Sequence, residues 1–388
     1  MSARDASILR KQHADKPDGM AIGAGFVFFP KIEVDLEYDD NVFRTRNNRQ
    51  GDFIVRVRPG FVVSSDWGEH SLEFFATGEL ARYADLDTAN YEGFSTGFKG
   101  KYDLTGDLAW TTDADFSRTA LPFAAPGLFG FTSGRRTIVH VFSASTNLVY
   151  GGDPFYGRIG PRVRRVTYVR GTSFDEDFNI YELTGRAGYR FTPDFSVFID
   201  PSYQIVRFDR NVDLGGVRRN NHGFDVRLGV AYDVSRDVTA EAGVGYFRRW
   251  FDGGGKPEDG LSFLARLYWN PTDNISVEAE ARRAFTQYRL ATPTAAALGN
   301  AVETYFGARV GWEPLEPLLV DAGAAYGRYT FSGSGNKENY LFFDAGAKYF
   351  FNPHFYAGPR YYHERRFAKP SALNYTDNRF MVTLGAQW

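Results

Sequence analysis

The sequence predicts an all-β protein, a transmembrane antiparallel up-and-down β-barrel of about 18 strands with short turns at one end and longer loops at the other. Three observations lead there. Apolar and polar residues alternate with a period of two along most of the chain, so successive side chains serve opposite strand faces. Tight turns recur at a near-constant interval, with longer polar segments midway between them. The chain also ends on an alternating aromatic run, Phe380 to Trp388.

Composition agrees with strands. Of 388 residues, 17% are aromatic, with 36 Phe, 23 Tyr and 41 Gly against three Met, a balance that suits twisted sheet better than helix. A mean hydropathy of -0.37 is compatible with a membrane barrel, because its strands average lipid-facing with lumen-facing residues. No apolar run approaches the ~18 residues of a spanning helix. Forty-five basic and 47 acidic residues leave a net charge of -2, which argues against a nucleic-acid footprint. The absence of cysteine excludes disulfides, thiolate metal sites and cysteine nucleophiles.

From the N-terminus, residues 1–24 are expected to be a flexible periplasmic tail. They lack the apolar core of a secretory leader, so a leader is expected to have been removed or omitted. Residues 25–388 are read as a single barrel domain. Its first strand sets Phe26, Phe28, Pro30, Ile32, Val34, Leu36 and Tyr38 against Lys31, Glu33, Asp35 and Glu37. Phe142, Leu148 and Tyr150 likewise oppose Ser143, Ser145 and Asn147, and Val226, Leu228 and Val230 flank Asp225 and Arg227. Near the end, Leu341, Phe343, Tyr349 and Phe351 share a face opposite Asp344 and Lys348.

Turn chemistry marks eight short connections, at Gly68, Gly106, Gly152, Pro193, Arg236, Thr272, Pro314 and Pro353, with gaps of 38, 46, 41, 43, 36, 42 and 39. Between them lie nine longer segments: 39–51, 85–90, 119–134, 171–177, 211–219, 252–259, 291–300, 332–338 and 369–374. Seventeen connections make 18 strands. Runs of about 12–16 residues exceed the usual globular strand and suit a tilted crossing of a bilayer, which distinguishes this rhythm from propeller blades. The segment 119–134 is apolar for an external loop and is expected to fold inward as a constriction.

The last strand puts Phe380, Val382, Leu384 and Trp388 on one face. It resembles the C-terminal assembly signal of bacterial outer-membrane barrels, which implies the barrel assembly machinery and outer-membrane lipid as partners. A second resemblance rests on Pro17-Asp18-Gly19-Met20-Ala21-Ile22-Gly23, Phe28-Phe29-Pro30, Tyr38-Asp39-Asp40-Asn41-Val42-Phe43, Asp52-Phe53-Ile54, Arg58-Pro59-Gly60 and Ser65-Asp66-Trp67. Over residues 17–100 the chain resembles a family of outer-membrane β-barrel porins encoded in exopolysaccharide gene clusters. That resemblance implies a Gram-negative outer-membrane location and passage of polysaccharide, with periplasmic export components as partners. A general or anion-selective diffusion porin and a non-conducting scaffold or adhesin are the rival readings. Oligomeric state stays open.

No catalytic constellation is evident, so the chain is read as a non-enzyme without cofactor or metal. The six histidines are scattered, and Gly253-Gly254-Gly255-Lys256 sits in an expected loop without the helix a phosphate site needs. Asp85, Asp87 and Asn90, and Asp175, Glu176 and Asp177, are read as solvated loop tips. The chemistry is left to the lumen. Its candidate contacts are Arg56, Arg58, Arg158, Arg162, Arg164, Arg170, Arg186 and Arg190, with Glu33, Asp35, Glu37, Glu278 and Glu280. The arginines cluster on two neighbouring strands. The acidic first, third and thirteenth strands are expected opposite them, which would set a transverse field across the pore. Phe198, Phe208, Tyr305 and Tyr362 are candidate sugar-stacking residues, and the six tryptophans, placed near strand ends, suit an aromatic girdle.

Overall fold

The computed structural model describes residues 7–9, 17–123, 136–169, 177–212, 218–233, 237–287, 300–331, 336–369 and 371–388. Arg170, the centre of the 119–134 segment, Asp175, Glu176, Ser235, Arg236 and positions 291–299 lie outside them. Alternation is realised as strands of 13 to 16 residues, preceded by one short strand. In chain order they are β1 (Met20–Gly23), β2 (Phe26–Asp39), β3 (Asp52–Ser65), β4 (Ser71–Tyr83), β5 (Tyr91–Asp103), β6 (Leu108–Ala120) and β7 (Ile138–Tyr150). There follow β8 (Phe155–Tyr168), β9 (Phe178–Arg190), β10 (Phe195–Phe208), β11 (Asn221–Asp233), β12 (Val238–Phe251) and β13 (Glu258–Thr272). The ring is completed by β14 (Ile275–Gln287), β15 (Asn300–Leu315), β16 (Leu318–Phe331), β17 (Lys337–Asn352), β18 (Phe355–Ala368) and β19 (Tyr375–Gln387). Among the described residues, helix is confined to two short 3₁₀ turns, Asp87–Ala89 and Ser371–Leu373.

Each strand pairs antiparallel with its sequence neighbour, and β19 returns to β2, so β2 to β19 form a closed ring of 18. The closing register aligns Arg379 with Asp39 at one end and Gln387 with Lys31 at the other. Because β2 extends past the end of β19, its edge at Phe26–Phe28 would be left bare. The unexpected β1 covers it, pairing Met20 with Phe28 and Ala21 with Val27. Gly23, Ala24 and Gly25, all at positive φ, make the reversal. The Trp388 N–H donates to the Pro30 carbonyl (3.0 Å) and finishes the seam.

Side-chain parity divides the barrel cleanly. Leu36, Phe53, Ile159, Leu183, Leu228, Val244 and Val310 point outward, as do the assembly-signal residues Phe380, Val382, Leu384 and Trp388. Trp67, Trp110, Trp269, Trp312 and Trp388 ring the short-turn end, and Trp250 lies toward the loop end. Short turns carry their own capping: Asn352 Oδ1 accepts from the His354 and Phe355 N–H groups (2.8 and 2.9 Å), and Thr192 Oγ1 from Phe195 N–H (3.1 Å). One part of the expected tail lies elsewhere. Ser7, Ile8 and Leu9 sit inside the barrel against β14 and β15.

Leu228, at mid-strand and 63% exposed, tests this assignment. Leu228→Arg is expected to destabilise the barrel by about 2–4 kcal/mol in denaturant unfolding from lipid vesicles. No measurable change would contradict the outward face.

Candidate functional site

With outward positions assigned, every charged candidate within the described residues falls on the lumen face. The register then decides which charges meet. On β2 and β3, Glu33 stands across from Arg58 and Asp35 from Arg56. Arg58 bridges Glu33 (3.1 Å) and Asp35 (2.6 Å), while Arg56 takes Glu37 (2.5 Å) and Glu79 (3.1 Å). Asp35 also accepts the Thr383 hydroxyl (2.7 Å), and Glu33 the Tyr356 hydroxyl (2.6 Å). Further round, Arg309 and Arg360 each bind both Asp321 and Asp344, a closed square of two cations and two anions. Glu280 receives Arg266 (3.4 Å) and Arg282 (2.5 Å), and Glu278 accepts from Ser7 (2.9 Å). From β13 through β19 to β4, most of the lumen charge is therefore paired within the wall.

At the loop end this network is sealed from water. Arg366 and Glu338 pair at 2.6 Å with side-chain exposures of 1% and 0%, and the Tyr340 hydroxyl donates to the second Glu338 oxygen (2.8 Å). Arg44, in the β2–β3 loop, reaches Glu364 (3.1 Å) and Asp377 (3.4 Å). Burial alone would lower the Arg44 pKa, but the surrounding charges, Glu364 foremost, outweigh it and hold the guanidinium above its ordinary value. Asp39, Asp40 and Asp377 come close enough together to suggest a cation site. Arg44 and Arg379 pair with Asp377, and Arg49 with Asp40, so the charge is already met by protein. Asp85 and Asn90 serve the loop itself: Asp52 accepts from Asp85 N–H, and Asn90 Oδ1 from Tyr83 N–H (2.7 Å).

The arginine strands divide. Arg186 makes a two-point bond to Asp200 (2.6 Å each) and a third to Glu241 (3.0 Å), with its guanidinium 3.9 Å from the centre of the Phe198 ring. Arg190 donates to the Gly152 carbonyl and covers Tyr156. Both are committed to the wall. Arg158, Arg162 and Arg164 are exposed on the lumen face of β8, and among the described residues no carboxylate lies within ion-pair distance of any of them. In the register Arg162 lies between Ser145 and Glu182, and Arg164 between Ser143 and Ile180. Asp113, one strand further, is turned to the Ser145 hydroxyl (2.5 Å). Six residues at ~3.3 Å each spread the three guanidinium groups over about 20 Å of the strand.

Two expectations are corrected by this geometry. In the ring β8 stands six strands from both β2 and β14 and four from β4, whereas the diametrically opposite strand is β17. The acidic strands are not diametrically opposite β8, and the carboxylates of β2 and β4 are paired with cations in place. The lumen aromatics are also occupied: Arg186 lies over Phe198, Arg219 over Phe208, Arg282 over Tyr305, and Arg360 and Arg379 over Tyr362. Their faces serve the wall rather than offering open platforms for sugar rings.

The start of the 119–134 segment turns inward, and Arg136, beyond it, packs on the same cluster. Phe123 is buried with Val42, Ile54, Ala81, Tyr83 and Ala89. Arg136 lies over Phe123 (4.8 Å) and Tyr91 (4.9 Å) and donates to the Tyr83 hydroxyl and the Ala89 carbonyl (3.3 Å). Arg136 was not a sequence candidate, because it follows a loop and belongs to no alternating run.

A family model described as "Putative beta-barrel porin 2" matches residues 14–388. No curated protein matches the chain. Among solved structures, Pseudomonas aeruginosa OpdO is 13% identical over 94% of this chain and 97% of its own, with a TM-score of 0.48. OccK9 (OpdG) of the same organism is 13% identical over 94% and 98%, also at 0.48. The siderophore receptor PirA of Acinetobacter baumannii is 8% identical over 93% and 80%, at 0.47.

The sealed pair gives a direct test of the wall. Arg366→Met strands a buried carboxylate and is expected to cost roughly 3–5 kcal/mol, most of it recovered by adding Glu338→Leu. Equal unfolding midpoints for the single and double variants would contradict a coupled pair.

Proposed function

The chain belongs to the family described as "Putative beta-barrel porin 2", and on that premise we propose that this outer-membrane channel conducts anionic solutes, acidic saccharide chains foremost. The observation that carries the reading is the row Arg158, Arg162 and Arg164 on the lumen face of β8, which no carboxylate among the described residues neutralises. A water-filled lumen bounded by low-dielectric walls focuses the field of such charges. Carboxylate or phosphate groups meet guanidinium with matching two-point geometry, and Ser143 on the adjoining strand adds a neutral hydrogen-bonding group for sugar hydroxyls. Spaced cations let a polyanion exchange one contact for the next, so that binding helps entry without trapping the solute. The resemblance to barrels of exopolysaccharide gene clusters supports saccharide as the solute and outward as its direction, with periplasmic components supplying the energy.

Planar-bilayer recording tests this. In a salt gradient the wild type is expected to favour anions, and an acidic oligosaccharide to block current with concentration while a neutral one of equal length does not. Arg158→Ala, Arg162→Ala and Arg164→Ala together should shift the reversal potential toward cation preference and weaken the block. An unchanged reversal potential and unchanged block would overturn the reading. Free passage of both oligosaccharides would instead identify a general porin.

A further inference from the structure

Among the described residues ahead of the barrel, two stretches touch its inner wall. Ser7 and Ile8 are 1% and 3% exposed. The Ser7 hydroxyl donates to Glu278 Oε1 and the Ile8 N–H to Ser276 Oγ, each at 2.9 Å. Both acceptors are lumen-facing, at the short-turn end of β14. Leu9 lies across Gly311 of β15, where an added Cβ would stand 2.6 Å from Leu9 Cδ2 and 3.2 Å from Ile8 Cγ1. The seat therefore depends on glycine there. Leu9 also borders a lumen space of about 540 Å³ together with Arg58, Tyr356 and Arg360. The second contact is at Gly19, whose backbone packs on Val27 and Phe29 at the start of β2. β2 is six strands round from β14.

Two apolar side chains in a lumen lined with charge need a reason to be there. Their position at the mouth offers one: apolar bulk at a pore entrance excludes water and ions, the principle of a hydrophobic constriction. We propose that Ser7–Leu9 is an internal strap that obstructs the periplasmic mouth of the resting channel, and that leaving the β14–β15 seat opens it. The attachment suits a movable part. Among the described residues it consists of two hydrogen bonds to side chains and a shallow glycine-floored seat. Which solute crosses does not enter this inference, since simple salt current reads the strap and leaves the β8 arginines unchanged.

The chain has no cysteine, so an engineered pair reports on itself. The full-length double variant Leu9→Cys with Gly311→Cys is expected to form a disulfide on mild oxidation. Its potassium chloride conductance should fall when oxidised and recover on reduction with dithiothreitol. Gly311→Leu, which fills the seat, and Ile8→Asp, which leaves the wall untouched, should each conduct more than the wild type. Failure of the disulfide to form in the folded barrel would overturn the strap, as would equal conductance in oxidised, reduced and Ile8→Asp proteins.

Discussion

A bilayer offers no hydrogen-bond partner to a peptide group, and the rest of this structure depends on that constraint. A sheet can cross the membrane only if its last strand returns to its first, since an open edge would leave a row of N–H and C=O groups unsatisfied in hydrocarbon. Closure between β19 and β2 meets the requirement, and β1 with Trp388 completes the seam where the two strands differ in length. Once the ring is closed, the period of two does the remaining sorting. Leucine, valine and phenylalanine dominate the lipid face, and charge takes the lumen or, as with Arg82 and Arg165, the loop ends of strands.

Confining so many charges within one lumen creates its own problem. Most are resolved across neighbouring strands, as with Arg58 between Glu33 and Asp35, or over two strands, as with Arg360 reaching Asp321. These pairs fix the wall and fold the aromatic faces under guanidinium groups, which removes both from the inventory of solute contacts. The proposed solute contacts are what is left over. The β8 guanidinium groups have serine hydroxyls on one flank, and the single cross-strand carboxylate, Glu182, is not within ion-pair distance of Arg162. A channel with nearly balanced overall charge can in this way present one cationic face to its solutes.

Much of the fold was legible in the sequence, because lipid enforces alternation residue by residue and turns recur at the rhythm of the membrane's thickness. Phe380, Val382 and Leu384 could be placed outward from spacing alone, and the strand count followed from punctuation. β1 escaped notice: four residues between glycines carry no usable period. The lumen was less legible for a definite reason. Parity says that Arg186 and Arg162 both face inward, but only the arrangement of neighbouring strands says that Arg186 meets Asp200 whereas Arg162 has no ion pair among the described residues. A one-residue slip would exchange the faces. The lumen position of Ser7–Leu9 had no sequence signal at all, since it depends on a cavity formed by residues nearly three hundred positions away.

The lumen face of β8 is accessible and, among the described residues, electrostatically uncompensated. Its most direct test is the reaction rate of Arg162→Cys, in a chain otherwise free of cysteine, with small anionic and cationic thiol reagents of similar size during current recording. With Arg158 and Arg164 still in place, the anionic reagent is expected to react faster and its advantage to shrink as salt screens the field. A faster cationic reagent, or rates equal at every ionic strength, would contradict the account.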